Sequence, residues 1–570
     1  MSLTDWIVLL LTLTLIVIYG LYKGRNQEDA QSYLLADKKM PWYVVLLGIM
    51  ATQASAITFI SAPGQAYVDG MRFVQYYFGL PIAMIVICIT FIPVFQRLNV
   101  YTAYEYLELR FDRRMRLTTA VLFLFSRALS TGISIYAPSI ILSSILGWNI
   151  YLTTLVMGGL LIIYTCAGGA EAVAHTQKLQ FLIILAGMAL TAWLLVGKLP
   201  EGMGLRDALY LSGKSGKLNV ITTGFDWKDK YNIWSGVIGG FFLALSYFGT
   251  DQSQVGRYIT ARDTRMARMG LLLNGVVKVP MQFAILLIGA LLFAFYTFNP
   301  APLYFNEVSY RALQRAQPQK TEQIQRLYQH TQEQYRQSAL ALGKSRPDGE
   351  GNAEALSDFQ HARGVVDSLR TEVRELILSN GIGTDANDTN YIFLYFVKNT
   401  LPPGLVGLLF AIIFLASWGS VSAALNSLAA SSLMDLQRLD KNETCTGKQQ
   451  ILYGRLHTLF WGVLGIAVAM FATRMGSLIE AVNVLGSLFY GTILGIFLVA
   501  LYMKRINGTS VFLAAVVTEG AVLLIYWADV VSFLWLNVVG ALLVPLISGL
   551  LFFFQRTLPD PPSQKAMKAD

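Results

Sequence analysis

Apolar runs of about twenty residues, the length a helix needs to cross the hydrocarbon of a bilayer, recur about thirteen times along this 570-residue chain. The expected spans are 3–22, 41–65, 74–95, 117–141, 149–167, 178–197, 233–254, 270–296, 403–434, 452–473, 480–502, 509–528 and 533–554. Lipid offers no partner to backbone N–H and C=O groups, so such runs must bond within themselves as helices. With 54% hydrophobic and 14% charged residues and a mean hydropathy of +0.50, the fold class is an all-α polytopic membrane protein.

The formal net charge of +9 does not point to nucleic acid, because most basic residues sit in short loops between spans, where they set orientation. Lys38 and Lys39, then Arg110, Arg113, Arg114 and Arg116, then Arg257, Arg262, Arg265 and Arg268, then Lys504 and Arg505 fall on one side. With an odd number of spans this places the N-terminus outside and the C-terminus in the cytoplasm of a multi-pass cell-membrane protein. The first run reads as a retained helix: Asp5 precedes it and Lys23 and Arg25 follow, the reverse of a cleaved signal. Cys88, Cys166 and Cys445 make no CxxC pair and the four histidines lack ligand spacing, so no disulfide framework or transition-metal site is expected. No nucleophile with its base, phosphate-cradling loop or paired carboxylates stands in a coherent setting, so the chain does not read as an enzyme.

The order of the spans holds a repeat of topology. With 1–30 set aside as an extra N-terminal helix, 31–505 contains two sets of five spans, about 41–197 and about 233–502, and 506–570 adds two C-terminal helices and a short cytoplasmic tail. Five is odd, so the second set enters the membrane from the opposite side, the inverted repeat from which alternating-access transporters are built. The soluble insertion at 297–392 is expected outside, as a helical hairpin around a Pro347–Gly351 breaker. Ile324, Leu327, Tyr328 and Tyr335 make one apolar face of it and Leu369, Val373 and Leu376 the other. It either caps the outer face or offers a docking surface to a protein partner.

Each half opens on an interrupted span. Residues 48–70 read GIMATQASAITFISAPGQAYVDG, where Gln53, Ser55, Thr58, Pro63 and Gly64 punctuate an apolar helix, and Tyr247 to Gln252 interrupt the span that begins the second half. A helix that opens in the membrane frees carbonyls for an ion or a solute. A hard monovalent cation wants several oxygens. The carbonyls of Ala51 and Ala54, with the dense hydroxyls of Ser417, Ser420, Ser422 and Ser427 on the ninth span, can supply them. The same small residues equally suit close packing of helices. Pro63 and Gly64 are expected to end the first broken helix near the outer gate, and Asp251 with Gln252 to cap the second.

YTAYEYLELRF at 101–111, SYFGTDQSQVGRYIT at 246–260, KVP at 278–280 and SAALNSLAASSLMDL at 422–436 resemble, in that order, the sodium:solute symporter family. Its members include sodium-coupled sugar, proline, iodide, sialic acid and vitamin transporters. The likeness runs over about 30–505 and implies a five-plus-five inverted-repeat, leucine-transporter-like core that imports a small solute with sodium by alternating access. Carried over residue by residue, it implies a sodium site formed by the carbonyls of Ala51, Ala54 and Ala416 and the hydroxyl of Ser420. Gly419 stands where members usually present a second hydroxyl. Gln177 stands where members with an additional sodium site usually carry aspartate, which implies Na+ as coupling ion at one per cycle. The implied substrate-binding positions are Gln53, Ser55, Thr58, Tyr77, Tyr247, Lys278 and Asn483, with Ser246 beside them. Sugar-transporting relatives tend to have an acid near Tyr77 and a glutamine at Asn483, and this chain has neither, so a hexose is not favoured.

Two cations lie inside spans, Arg127 and Lys278. A charge at membrane depth costs at least about 2.5–3.5 kcal/mol, so each needs a partner or a wet cavity. Sialic-acid-transporting relatives place an arginine on the helix of Arg127 to hold a carboxylate, so Arg127 reads either as an anion contact or as a buried structural pair. Lys278 resembles a lysine found widely in the family and suits the holding of polar core groups as well as solute. The function implied is a sodium-coupled secondary active symporter for a small polar or anionic solute. The alternative is a membrane solute sensor on the same fold, signalling through a separate partner at the 297–392 hairpin, because the tail after 555 is too short for an output domain.

Overall fold

A computed structural model describes residues 1–23, 40–98, 100–344, 352–382, 386–437, 447–472 and 477–557. Lys38 and Lys39, the Pro347–Gly351 breaker, Cys445 and the tail after 557 lie outside the described residues. In chain order the helices that frame the molecule are α1 (Leu3–Lys23), α2 (Trp42–Gln53), α3 (Ala56–Asp69), α4 (Leu80–Leu98), α5 (Arg113–Leu146) and α6 (Ile150–Gly197). There follow α7 (Gly240–Thr250), α8 (Gln252–Ile259), α9 (Thr264–Phe298), and the insertion helices α10 (Pro318–Lys344), α11 (Asn352–Ser379) and α12 (Thr389–Thr400). The chain continues through α13 (Leu405–Ser431), α14 (Gly447–Phe471), α15 (Leu478–Tyr502), α16 (Gly508–Trp527) and α17 (Phe533–Thr557). An isolated bridge between Met40 and Ala261 is the one β-type pairing among the described residues.

Among the described residues ten helices are long and apolar enough to span a membrane, and the bent pair α2/α3 makes an eleventh. The shorter apolar segments Ile150–Cys166 and Ser235–Thr250 complete the thirteen spans that hydropathy gives. Helical bonding runs without interruption through α6, where the sequence suggests two spans. The axis nevertheless turns back. The Tyr164 hydroxyl lies 2.9 Å from Thr176 Oγ1, whereas twelve residues of straight helix rise about 18 Å. Both arms also reach neighbouring turns of α13, through Thr165 to Ser422 at 2.7 Å and Gln177 to Gly419 at 2.9 Å. With α1 set aside, the fold is a five-plus-five inverted repeat, its halves opening on the broken pairs α2/α3 and α7/α8. Helix α13 is enclosed, with 89% of its most apolar window buried, while α1 has 22% buried and is left largely to lipid.

The first break differs in place from the sequence expectation. The axis bends by 58° between Gln53 and Ala56, and α3 continues through Pro63 and Gly64 to Asp69. These two residues serve packing instead of termination. A Cβ on Gly64 would stand 2.0 Å from the Thr389 carbonyl at the start of α12, and one on Gly289 of α9 would stand 2.2 Å from the Pro63 carbonyl. Two glycines thus let α3 lie close between α9 and α12.

In the insertion, α10 and α11 run antiparallel, since Lys320 pairs with Glu372 at 3.5 Å and Tyr335 stacks on Phe359 at 5.2 Å. Ile324, Tyr328, Tyr335, Leu369, Val373 and Leu376 are buried, but Leu327 is 51% exposed and is not part of that face. Helix α11 is bonded to the membrane part: Arg370 donates to the Tyr67 hydroxyl at 3.1 Å and Arg363 to the Ser215 carbonyl at 3.2 Å.

Candidate functional site

The opened stretch between α2 and α3 has extended backbone at Ser55 (φ −77°, ψ 172°) and a non-helical Ala54 (φ −81°, ψ 64°). The Ala54 N–H still donates to Met50 at 2.8 Å, and the Thr58 hydroxyl closes the gap by donating to the Gln53 carbonyl at 3.1 Å. Among the described residues no backbone N–H reaches the carbonyls of Ala51 or Ala54. Oxygen without a donor at a buried break is what a hard cation requires.

This break borders a partly open cavity with about 1050 Å³ of empty space, counting the part open to solvent. Gln53, Ser55, Thr58, Tyr77, Arg127, Tyr247, Lys278 and Asn483 all line it, so the substrate positions implied by sequence come together in space. Ser246 does not line it: its hydroxyl donates to the Tyr490 carbonyl at 2.5 Å. Three hydrogen bonds, two of them long-range, fix the wall. Gln53 donates to Asn274 Oδ1 at 3.1 Å, Tyr76 donates to Asn483 Oδ1 at 2.9 Å, and Gln254 donates to the Tyr247 hydroxyl at 2.7 Å.

Of the residues implied for sodium, Ser420 lines the cavity, and Ala51, Ala54 and Ala416 are buried nearby in chain, on α13 and the α2 break, which pack together. The Ser420 hydroxyl donates to the Ser417 carbonyl at 3.1 Å, which leaves its oxygen lone pairs available to a cation. The Gly419 carbonyl accepts from Gln177 Nε2 at 2.9 Å. A Cβ at Gly419 would stand 2.6 Å from Gln180 Oε1, so the space a second hydroxyl side chain would need is filled by glutamine. Carbonyl and hydroxyl oxygens at a buried break form a donor set that fits sodium, and no group of three or more His, Cys, Asp or Glu side chains suited to a transition metal occurs among the described residues.

The two cations differ in their partners. Arg127 lies 3.7 Å from Asp251. Asp251 caps α8 by accepting from the Ser253 N–H at 2.7 Å, and it also accepts from the Tyr490 hydroxyl at 2.8 Å. Gln252 does not share the cap; its amide bonds Ala103 and Tyr101 instead, tying α8 to the 101–103 loop. Lys278 is 2% exposed, its ammonium 5.6 Å from the centre of the Tyr77 ring, and it forms no ion pair among the described residues. Among the described residues the lining therefore holds two cationic side chains and no carboxylate.

Sequence reasoning misses Tyr76, Ser130, Thr131, Ser134 and Tyr490, which also line the cavity. A signal exists for three of them: Ser130, Thr131 and Ser134 follow Arg127 at i+3, i+4 and i+7, one polar stripe on α5. Asn274, the partner of Gln53, precedes Lys278 by one turn of α9 and carries no such signal alone.

Residues 33–316 and 369–518 match the sodium:solute symporter family. The chain is similar to the sodium-dependent multivitamin transporter of Oryctolagus cuniculus, at 28% identity over 519 residues covering 89% of this chain and 67% of that protein. It is similar to the sodium/sialic acid symporter of Aliivibrio fischeri, at 26% identity over 553 residues covering 96% and 92%. The fold is shared with a solved Na+-coupled sialic acid symporter in a substrate-bound outward-open state, with a TM-score of 0.74, 22% identity, and coverage of 97% of this chain and 98% of that one.

Proposed function

The chain belongs to the sodium:solute symporter family, and on that premise we propose that it is a secondary active symporter that imports a small organic anion with one sodium ion per cycle. The observation that carries the anionic solute is the charge of the cavity: Arg127 and Lys278 line it, no carboxylate does, and Lys278 has no counter-ion among the described residues. An unpaired cation at membrane depth costs at least about 2.5–3.5 kcal/mol, and a carboxylate in the cavity offsets that cost. The sialic acid named for two similar proteins is itself an acid.

In this reading the carbonyls of Ala51, Ala54 and Ala416 and the hydroxyl of Ser420 hold sodium. Bound there, the ion supplies a positive charge that joins α2 in one half of the repeat to α13 in the other. The solute's carboxylate is held by Lys278. Arg127 adds long-range attraction while it remains paired to Asp251. Tyr76, Tyr77 and Tyr247 give the solute's body aromatic faces, and Gln53 and Asn483, each held by two hydrogen bonds, keep polar capacity toward it. Sodium drives uptake by binding the outward-open, solute-competent state more tightly than the other, which is the linkage condition for a coupled carrier. A single ion per cycle is supported by Gln177, a neutral side chain that offers a second cation no carboxylate and whose amide N–H is bonded to the Gly419 carbonyl. The protein sits in the cell membrane with its N-terminus and the insertion outside and its C-terminus in the cytoplasm.

The test is uptake into proteoliposomes under an inward sodium gradient, with choline as control and with sialic acid, acetate, benzoate and glucose as solutes. Accumulation of an anion that needs sodium is expected. Sodium-driven accumulation of glucose alone, or anion uptake indifferent to sodium, overturns the reading.

A further inference from the structure

A second cavity, with about 850 Å³ of empty space, lies where α11 of the insertion meets the ends of α3 and α9, and it shares no lining residue with the central one. Its walls carry Lys217, Arg363, Arg370 and Arg374, against one lining carboxylate, Asp367. Arg363 is 3.5 Å from Asp367, and Arg374 is 3.2 Å from Asp388. The other two cations form no ion pair within 4 Å among the described residues, and their hydrogen bonds go to neutral groups. Arg370 donates to the hydroxyls of Tyr67 at 3.1 Å and Tyr328 at 3.3 Å and to the Pro302 carbonyl at 3.0 Å. Lys217 donates to the Val68 carbonyl. The Nε–H groups of Arg370 and Arg374 are buried without an acceptor. Lys217 and Arg363 both stand over the Phe293 ring, at 5.1 and 5.2 Å.

Four cations against the carboxylates of Asp367, Asp388 and the neighbouring Asp69 leave one positive charge in excess in a partly enclosed, aromatic-walled space. Burial and the neighbouring Arg363 push the Lys217 ammonium down to about 8, although Asp367 and Asp69 pull the other way. Like charges held together at a desolvated surface, with guanidinium N–H groups unmet, form an arrangement completed by an anion, and the planar guanidinium fork matches a carboxylate or phosphate.

We propose that this cavity binds a small oxyanion, of the carboxylate or phosphate class, between Arg370, Lys217 and Arg363. The occupant joins the insertion to the broken span, because Tyr67 and Val68 belong to α3 while Arg363 and Arg370 belong to α11. The site stands apart from the transport reading, which concerns the central cavity.

The full chain, purified in detergent, is titrated with sodium phosphate or sodium acetate, replacing sodium chloride at matched sodium and ionic strength, and its melting temperature is followed. A ligand that binds the native state raises stability by mass action. A saturable rise of about 1 °C or more is expected with at least one of the two anions, and the more effective one identifies the class. The rise should persist in Lys278→Met, where the central cavity has lost its anion contact, and in that background should vanish when Arg370→Gln or Lys217→Gln is added. Arg370 also braces Tyr67, Tyr328 and Pro302, so Lys217→Gln, which gives up a single bond, decides the matter if Arg370→Gln does not fold. No saturable rise with either anion in Lys278→Met, or a rise there that survives the addition of Lys217→Gln, overturns the proposal. A rise lost in Lys278→Met but kept in Lys217→Gln overturns it too and places the anion in the central cavity.

Discussion

Replacing Lys278 with methionine separates a charge kept for solute from a charge kept for structure. The ammonium forms no ion pair among the described residues and lies 5.6 Å from the Tyr77 ring centre, so the substitution strands no counter-ion. Methionine nearly matches the lysine stem in length and is far cheaper to bury than a cation. The melting temperature should therefore stay unchanged or rise. A hydrogen bond to a charged group contributes about 1.5–3 kcal/mol, and 1.4 kcal/mol is tenfold, so the anion concentration for half-maximal uptake should increase about 10- to 150-fold. Arg127→Met is the contrasting variant. It leaves Asp251, whose side chain is fully buried, without its cation at 3.7 Å, and removing one member of a buried pair costs about 3–5 kcal/mol. The Tyr490 and Ser253 bonds that remain on Asp251 place the expected loss at the lower end of that range. Proteoliposome uptake over a range of anion concentrations, with melting curves of the same preparations, measures both quantities. A Lys278→Met protein that folds normally and half-saturates within threefold of the parent would refute the assignment of Lys278 to the solute. So would a melting point lowered as much as in Arg127→Met.

Other consequences are equally direct. Ser420→Ala removes a hydroxyl oxygen from the proposed sodium site, and a loss of about 1–2 kcal/mol should raise the sodium concentration for half-maximal uptake about 5- to 30-fold at unchanged expression; unaltered sodium dependence would take Ser420 out of the mechanism. One sodium with one monoanion carries no net charge, so imposing −100 mV should leave accumulation unchanged, whereas a second sodium would add about 2.3 kcal/mol, near 50-fold, at equilibrium. Gly64→Ala puts a methyl 2.0 Å from the Thr389 carbonyl and should cost about 1–3 kcal/mol, read as a lowered melting temperature. Gly159→Ala, where nothing lies within 4 Å, should not.

The spans were legible because a membrane helix announces itself by length and apolarity alone, and the inverted repeat follows from counting them. The cavity was legible for a related reason. A polar or charged residue on a spanning helix has few places to face, so Gln53, Thr58, Arg127, Lys278 and Asn483 converge once the helices pack. What pairs with what has no local signal. Asp251 with Arg127, Gln53 with Asn274 and Tyr76 with Asn483 join positions 124 or more residues apart in the chain. Pro63 misleads because proline usually ends a helix, yet α3 carries it inside, its carbonyl side accommodated by Gly289. The contribution of Gln180 at Gly419 depends on how α6 turns back, which hydropathy does not encode.

The central claim is that sodium and the anion share one linked cavity. Isothermal titration of the purified chain with the anion selected by uptake, at zero and saturating sodium, tests it most directly, together with the reverse titration of sodium at zero and saturating anion. Linkage requires that each ligand tighten the other by the same factor. The account predicts equal factors of about fivefold or more in both directions. An anion affinity that is the same with and without sodium would contradict it.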